Sequence, residues 1–321
     1  MSGVDPKSDR SAVSSNDGLV SVVIPSRDAG AELFRAIASV RAQTYPYIEL
    51  IVVLDNASPS EDTLAKLRGV VDKVIQTAVP VGGSGARNRG IEAATGKWIA
   101  LLDDDDVWRE NKLQRQIDTA AALSGHAFPV ISTRVLVQQG EEQRTWPLKP
   151  APTGDPMRIS EYLFCVSSPT KRGEGFVQTS TLFASRQLFL ETPFTDGLRI
   201  HQDWDWLLRA SAREGFHLDL IWEPLTVYYL NVKGTSVSQT KDWRPSFAWA
   251  TGNPLISPRA YSYFLATVVA RYVPLSSLPK VLWAFLTRSR VDVRSAILFA
   301  LFFSFPEKQR LRVAQWLRKK G

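Results

Sequence analysis

The chain has a single cysteine among 321 residues. Cys165 alone closes no internal disulfide and cannot supply the thiolate sets of ordinary structural zinc sites, so a reducing compartment suits it best. Long apolar stretches are also missing. Nowhere do about 18 uncharged apolar residues run together, and no ordinary membrane-spanning helix is expected. Residues 1–18, Met1 to Gly18, are polar and rich in Ser and Asp, which makes them a flexible lead-in rather than a signal peptide. No repeat of fixed period occurs. The glycine fingerprint of dinucleotide-binding folds is absent too: Ile24-Pro25-Ser26-Arg27-Asp28 closes an apolar run, and no glycine follows before Gly30.

What is present describes a globular protein with a substantial core, 44% hydrophobic and with a mean hydropathy of -0.12. Its length suits one large α/β domain with an appended subdomain, or two modest domains. The net charge of +7 is uneven. Residues 271–321 hold eleven Lys/Arg against Asp292 and Glu307, a surplus of nine that leaves the first 270 residues at -2. A nucleic-acid binder spreads basic residues over its main folded surface, so no nucleic acid partner is expected.

Apolar, β-branched runs at Leu19–Ile24, Leu50–Leu54, Lys73–Gln76 and Trp98–Leu102 read as strands. Helical spacing at Leu33–Thr44, Thr63–Val71 and Ser84–Ala94 places helices between them. This alternation predicts a mostly parallel sheet covered on both faces, with ligands beyond the carboxyl ends of the strands. After residue 125 the pattern loosens, with Pro and Gly scattered through 147–175. A helix is expected at Asp203–Arg213, and separate strands at Leu218–Trp222 and Leu225–Leu230.

The polar residues at those strand ends carry the chemistry. Ser26, Arg27 and Asp28 follow the first strand, and Asp55 follows the second, where a carboxylate either accepts bonds from a base or ribose or simply caps a turn. Val81-Gly82-Gly83-Ser84-Gly85-Ala86-Arg87-Asn88-Arg89-Gly90 lets backbone N–H groups approach an anion at a helix start, but lacks the Gly-Lys-Ser/Thr of a P-loop. Asp103-Asp104-Asp105-Asp106 ends an apolar strand with four like charges, which a divalent cation shared with phosphates would balance. His201-Gln202-Asp203-Trp204-Asp205-Trp206 offers Asp203 as a general base or a helix cap, with Trp204 and Trp206 as flat faces for a sugar or as core residues.

In this order, from about Val20 to Val237, these pieces resemble the family 2 glycosyltransferases of GT-A fold. The most specific parts are Ser21 to Ser26, Ala86 to Gly90, Leu101 to Asp106 and Gln202-Asp203-Trp204. The resemblance implies an α/β, Rossmann-like GT-A sheet with helices on both faces and a C-terminal helical extension. Residues 19–258 would form the transferase domain, its nucleotide-sugar half reaching about residue 125 and its acceptor half following, and residues 259–321 a basic, apolar helical tail. It implies a UDP-sugar donor, Mg²⁺ or Mn²⁺, and inversion at the anomeric carbon. Pro25, Ser26, Arg27, Asp28 and Gly83 would line the nucleotide pocket, Asp55 would contact uracil, and Arg87 and Asn88 would help close it. Asp105 would be the principal metal ligand with Asp103, Asp104 would lie near the ribose, and Asp203 would be the base. Gln178, Trp204 and Asp205 would face the acceptor. Gln202 departs from the family's usual glutamate, and Leu54 stands where many relatives carry the first of two aspartates.

Gln178-Thr179-Ser180-Thr181 and His201 to Asp205 are most similar to succinoglycan-type β-glucosyltransferases of bacterial exopolysaccharide synthesis. That implies UDP-glucose as donor and a saccharide, lipid-linked or free, as acceptor at the cytoplasmic face of the cell membrane. The tail fits such a setting. Val281–Leu286 and Ala296–Phe303 are short apolar segments among basic residues, suited either to a membrane surface, with Trp283, Phe299 and Phe302 inserted, or to a helical subdomain packed on the core. The rival readings are a nucleotidyltransferase, which would not need Asp203 beside tryptophans, and a non-catalytic sugar- or membrane-binding protein, which would not need both Asp105 and Asp203.

Overall fold

A computed structural model of the chain describes residues 18–56, 58–168, 173–230 and 241–305. The expected lead-in up to residue 17 and the basic end of the tail, residues 306–321, lie outside them. The β-branched run Val20–Ser26 forms β1 at the centre of a parallel group, flanked by β2 (Ile48–Leu54) and β4 (Trp98–Leu101), with β3 (Lys73–Gln76) beyond β2. Val22 sits opposite both Leu50 and Ala100, which fixes the register.

Successive side chains on these strands point to opposite faces. Val20, Val22 and Ile24 join one core with Leu33 and Ile37 of α1 (Ala31–Arg41), Leu64 of α2 (Glu61–Val70) and Leu113 of α4 (Lys112–Ala122). Val23, Ile51, Val53 and Leu101 face a second core shared with Ala86 and Ile91 of α3 (Gly82–Ala93). The sheet is therefore buried on both sides, as the alternating pattern predicts.

The sheet continues from β4 through β8 (Phe183–Ser185), β6 (Phe128–Gln139), β9 (Phe216–Tyr229) and β5 (Val107–Trp108), with β7 (Glu142–Trp146) also on β6. β6 and β9 run parallel to each other, while β8, β7 and β5 are antiparallel to their neighbours. The two strands expected at 218–222 and 225–230 are one strand. Thr133 pairs with Ile221 and Arg134 with Pro224, so Trp222 and Glu223 are passed over at a bulge. Pro224 has no N–H for a ladder, and the apparent break in the sequence is this irregularity.

Helices α5 (Pro156–Phe164), α6 (Arg186–Glu191), α7 (Gln202–Ser211) and α8 (Arg244–Gly252) cover the α3 side of the sheet. The tail's described helices, α9 (Pro258–Phe264), α10 (Leu278–Thr287) and α11 (Val293–Ser304), join the same core through Tyr263, Phe264, Val281, Phe285 and Phe299. Phe299 is thus turned inward rather than toward a membrane, and Phe302 is half-buried against it. Trp283 is 57% exposed and shares the outside with Leu275, Leu286, Val293 and Ile297. No helix among the described residues is long and apolar enough to cross a membrane.

Candidate active site

The carboxyl ends of β1, β2 and β4 carry the expected polar residues. Ala29 after β1, Asn56 after β2 and His201 before α7 all adopt left-handed backbone conformations. Such φ values are strained for residues with a Cβ, and they mark the turns that aim the flanking side chains.

Asp103, Asp104 and Asp105 are half-buried, whereas Asp106 is fully buried. Asp104 accepts a bond from Ser26. Burial pushes its carboxyl up to about 6, with repulsion from Asp103 and Asp28 adding to the rise and the Ser26 bond opposing it. Asp105 accepts no hydrogen bond from the side chain of any described residue, and Arg35 reaches only its backbone oxygen. Burial, followed by repulsion from Asp103 and Asp104, raises it to about 7. Asp103 is already engaged, by Arg87 on one oxygen and by Gln178 Nε2 at 3.0 Å on the other. Asp105 is therefore the carboxylate most open to a cation. Among the described residues no group of three His, Cys, Asp or Glu side chains makes a ready cage. An oxygen-only, incomplete set fits a hard divalent ion whose remaining ligands come from phosphates and water.

The glycine-rich loop behaves differently from expectation at the start of α3. Asp55 is buried and accepts from Val81 N at 2.7 Å, Gly82 N at 2.9 Å and Thr77 Oγ1 at 3.2 Å. The anion that this helix start attracts is the chain's own carboxylate. Gly83 packs where a Cβ would come within 3.0 Å of Arg87 and within 2.9 Å of Gln202, so its lack of a side chain admits that pair. Arg87 is 7% exposed and bridges two elements, donating to Asp103 at the end of β4 and to Gln202 Oε1 on α7 at 2.6 Å. Its Nε and the nearby Ser84 Oγ are buried without a partner among the described residues. Asn88 serves structure: its amide donates to Phe194 O and Asp196 and accepts from Phe194 N. Pro25 is half-buried beside Ser26, while Arg27 and Asp28 are exposed, Asp28 accepting from Gly30 N at 3.0 Å.

Arg87 holds the first turn of α7 against the aspartates, and Asp203 arrives there with Gln202. Asp203 is half-buried, and Trp204 N donates to its Oδ1 at 2.9 Å. Burial pushes its carboxyl up to about 6; the Trp204 bond and Arg87 oppose this, and Asp103 adds to it. A carboxyl poised there is ionised at neutral pH yet basic enough to take a proton.

Three residues assigned to the acceptor are occupied otherwise. Gln178 is buried and its amide bonds Asp103, Asp106 and Ser180, so it braces the acid cluster. Asp205 accepts from Thr195, Arg209 and Trp249 Nε1, which leaves it tied into the fold. Trp204 stacks on His201, centroids 4.9 Å apart, and meets Phe164 and Phe264 edge-on, while Trp206 is fully buried.

Other residues join the site without having been singled out in the sequence. Asp106 accepts from Ser180 Oγ at 2.6 Å and from Tyr229 N at 3.4 Å, and burial holds its carboxyl far above the ordinary range. Tyr228 is half-buried; burial and the charges of Asp106, Asp105, Asp203 and Asp103 all raise its phenol. Asp106 was visible as part of the acidic run, whereas nothing in a strand sequence separates Tyr228 from a core tyrosine. A cavity of about 710 Å³ lined by 125–128 and 212–215 lies at the opposite, amino ends of β6 and β9 and holds none of these residues.

The family described as Glycosyl transferase family 2 matches residues 21–172. The amylovoran biosynthesis glycosyltransferase AmsB of Erwinia amylovora is 31% identical over 264 residues, 78% of this chain and 84% of that protein. The succinoglycan biosynthesis protein ExoO of Rhizobium meliloti is 30% identical over 68% of this chain and 62% of its own length. The UDP-Glc:alpha-D-GlcNAc-diphosphoundecaprenol beta-1,3-glucosyltransferase WfgD of Escherichia coli is 39% identical over 32% of this chain and 41% of its own length. In fold, the chain is similar to TarS 1-349 of S. aureus, crystallised in complex with UDP-GlcNAc, with a TM-score of 0.54 at 16% identity, covering 88% of this chain and 78% of that one.

Proposed function

The chain belongs to glycosyl transferase family 2 and is a glycosyltransferase, and from that premise we propose an inverting transfer from a UDP-sugar, UDP-glucose first, to a hydroxyl of a lipid-linked saccharide in exopolysaccharide synthesis. The relatives named for amylovoran and succinoglycan biosynthesis support the setting, and WfgD supports both the donor and the kind of acceptor. The observation that carries the chemistry is the Arg87 bridge, which brings Asp203 from α7 to the acids at the end of β4. Asp203 takes the proton of the acceptor hydroxyl as the oxygen attacks the anomeric carbon, and the diphosphate leaves from the opposite face. One in-line displacement inverts that carbon. Ser26, Asp104 and the β1 turn at Pro25, Arg27 and Asp28 hold the nucleoside, with Asp55 shaping the loop beside them. Asp105 would hold Mg²⁺ or Mn²⁺, which when bound offsets charge on the departing diphosphate.

The assay is consumption of a UDP-sugar panel with Mn²⁺, with Mg²⁺ and in excess EDTA. UDP-glucose turnover that needs the cation is expected; full turnover in EDTA removes the metal from the proposal, and no consumption of any UDP-sugar removes the donor.

The outer face of α10 and α11 supports a peripheral position on the inner surface of the cell membrane. Leu282, Trp283, Leu286, Val293 and Ile297 are exposed there beside Lys280, Arg288, Arg290 and Arg294. Anionic lipid attracts each such basic residue by about 1 kcal/mol, and exposed Trp and Leu bury apolar area at the interface. Cutting the chain near Arg259 would strip Tyr263 and Phe264 from the core, so point variants are the sound test. Full-length protein should co-sediment with anionic vesicles at low salt and less so at high salt, and Trp283→Ser with Leu286→Ser should weaken this. Unchanged sedimentation would assign that face to something other than lipid.

A further inference from the structure

A row of aromatic rings leads outward from the acid cluster. Tyr228 at the inner end feels Asp103, Asp105, Asp106 and Asp203 together. Phe176 lies 6.1 Å from it, tilted 41°, and Trp146 lies 5.3 Å beyond Phe176, tilted 57°. All three residues are half-buried, unlike Trp206 or Phe183, which the core encloses fully.

The row is held from behind. Gly173, at φ +71°, backs the Trp146 ring so closely that a Cβ there would stand 2.3 Å from the indole. Leu148 N donates to the carbonyls of Gly173 and Glu174, and Gly175 lies against the Tyr162 backbone. Two residues after Phe176, Gln178 is bonded to Asp103 and Asp106, while Val177 between them is buried in the core. Phe176 is thus anchored by the same segment that braces the acids. A surface fixed in this way loses little side-chain freedom when something binds to it.

Building on the glycosyltransferase reading, we propose that Phe176 and Trp146 form the stacking platform for the acceptor saccharide, with Tyr228 marking the end at which its reacting hydroxyl meets Asp203. A pyranose presents one face of C–H groups and a rim of hydroxyls. Rings that keep part of their surface open take the apolar face, and the polar residues at one end of the row take the rim. The platform lies on β7, β9 and the segment before Gln178, away from Ser26 and Asp55. It therefore assigns acceptor recognition to residues that the sequence motifs leave out, in place of Gln178 and Asp205.

The test measures donor and acceptor KM separately, with UDP-glucose and a panel of soluble acceptors: octyl β-glucoside, octyl β-galactoside and farnesyl-diphosphate-linked N-acetylglucosamine. For whichever acceptor is used, Phe176→Ala and Trp146→Ala should each raise its KM about tenfold, and Phe176→Tyr should restore it. The KM for UDP-glucose should move less than twofold. Acceptor KM values within twofold of the unaltered protein overturn the platform, as does a donor KM that rises in step. UDP-glucose consumption with no transfer to any of these sugars also counts against it. If the unaltered protein consumes no UDP-sugar, the donor reading fails first and takes the platform with it.

Discussion

The two ends of the same parallel strands treat their carboxylates in opposite ways. At the amino end, Glu49 is 8% exposed and fully engaged, with Lys73 at 2.7 Å, Thr95 N at 2.8 Å, Thr95 Oγ1 at 2.9 Å and the Ser21 hydroxyl. Burial alone would raise its carboxyl, but bonds from Lys73, Ser21 and Thr95 outweigh burial and hold it down to about 2. At the carboxyl end, Asp105 has no such partners among the described residues and rises to about 7. Both are carboxylates drawn out of bulk solvent; the difference that decides the direction is the number of donors aimed at the oxygens. At one end the fold itself supplies the donors that stabilise the charge, and at the other burial and like charges oppose it.

Removing the proposed base should sharpen that contrast most. Asp203→Asn is expected to cut turnover by about 10²–10⁴-fold while donor KM stays near normal. Because burial places Asp203 at about 6, turnover of the unaltered enzyme should climb as pH rises through 6 and level off above it. A flat profile from pH 5 to 8 would put the base elsewhere; Asp205 is a poor substitute, since its oxygens already serve Thr195, Arg209 and Trp249.

Opposite changes in stability are expected when one carboxylate at each end is neutralised. Glu49→Gln leaves Lys73 without its ion pair and should destabilise the fold by about 2–3 kcal/mol at pH 7. The Glu49 contribution is present above its unfolded value near 4.5 and is lost as pH falls through about 2. Asp105→Asn should instead raise Tm by ~2–4 °C without cation at pH 8, on the order of 1–2 kcal/mol for a half-buried group after screening. Its raised pKa means the penalty is absent below about 4 and complete above about 7, so the gain should vanish at pH 4. Thermal melts of both variants at pH 4 and 8 decide this; a loss of stability in both would make the two ends alike.

What the sequence discloses is what lies close together along the chain. β1 to β4 and the helices between them read directly from apolar runs and helical spacing, and the four aspartates interrupt a strand at once. β6 stays hidden because Ser132, Thr133, Gln138 and Gln139 break its apolar pattern, and β9 looks divided because Pro224 resembles a stop. Site residues follow the same rule. Asp105 and Asp203 stand out by type and position, but the partners that occupy Gln178 lie 72 and 75 residues away, and those that hold Asn88 lie over 100 away. Spacing shows neither. Phe176 and Tyr228 give no signal at all, because an aromatic residue in an extended segment reads first as core.

Asp106 waits for partners that a ribosome delivers late. Gln178 and Ser180 emerge 72 and 74 residues after it, and the amide of Tyr229 emerges 123 residues after it. The first four strands, all parallel, are complete at Leu101, so their residues are available for pairing while these acids still lack their bracing. Contacts distant in sequence form last, since a long loop must close before they are made. In each newborn molecule the acids are thus in place along the chain long before the groups that brace Asp106, and the bracing closes only once the strand carrying Tyr229 has been made.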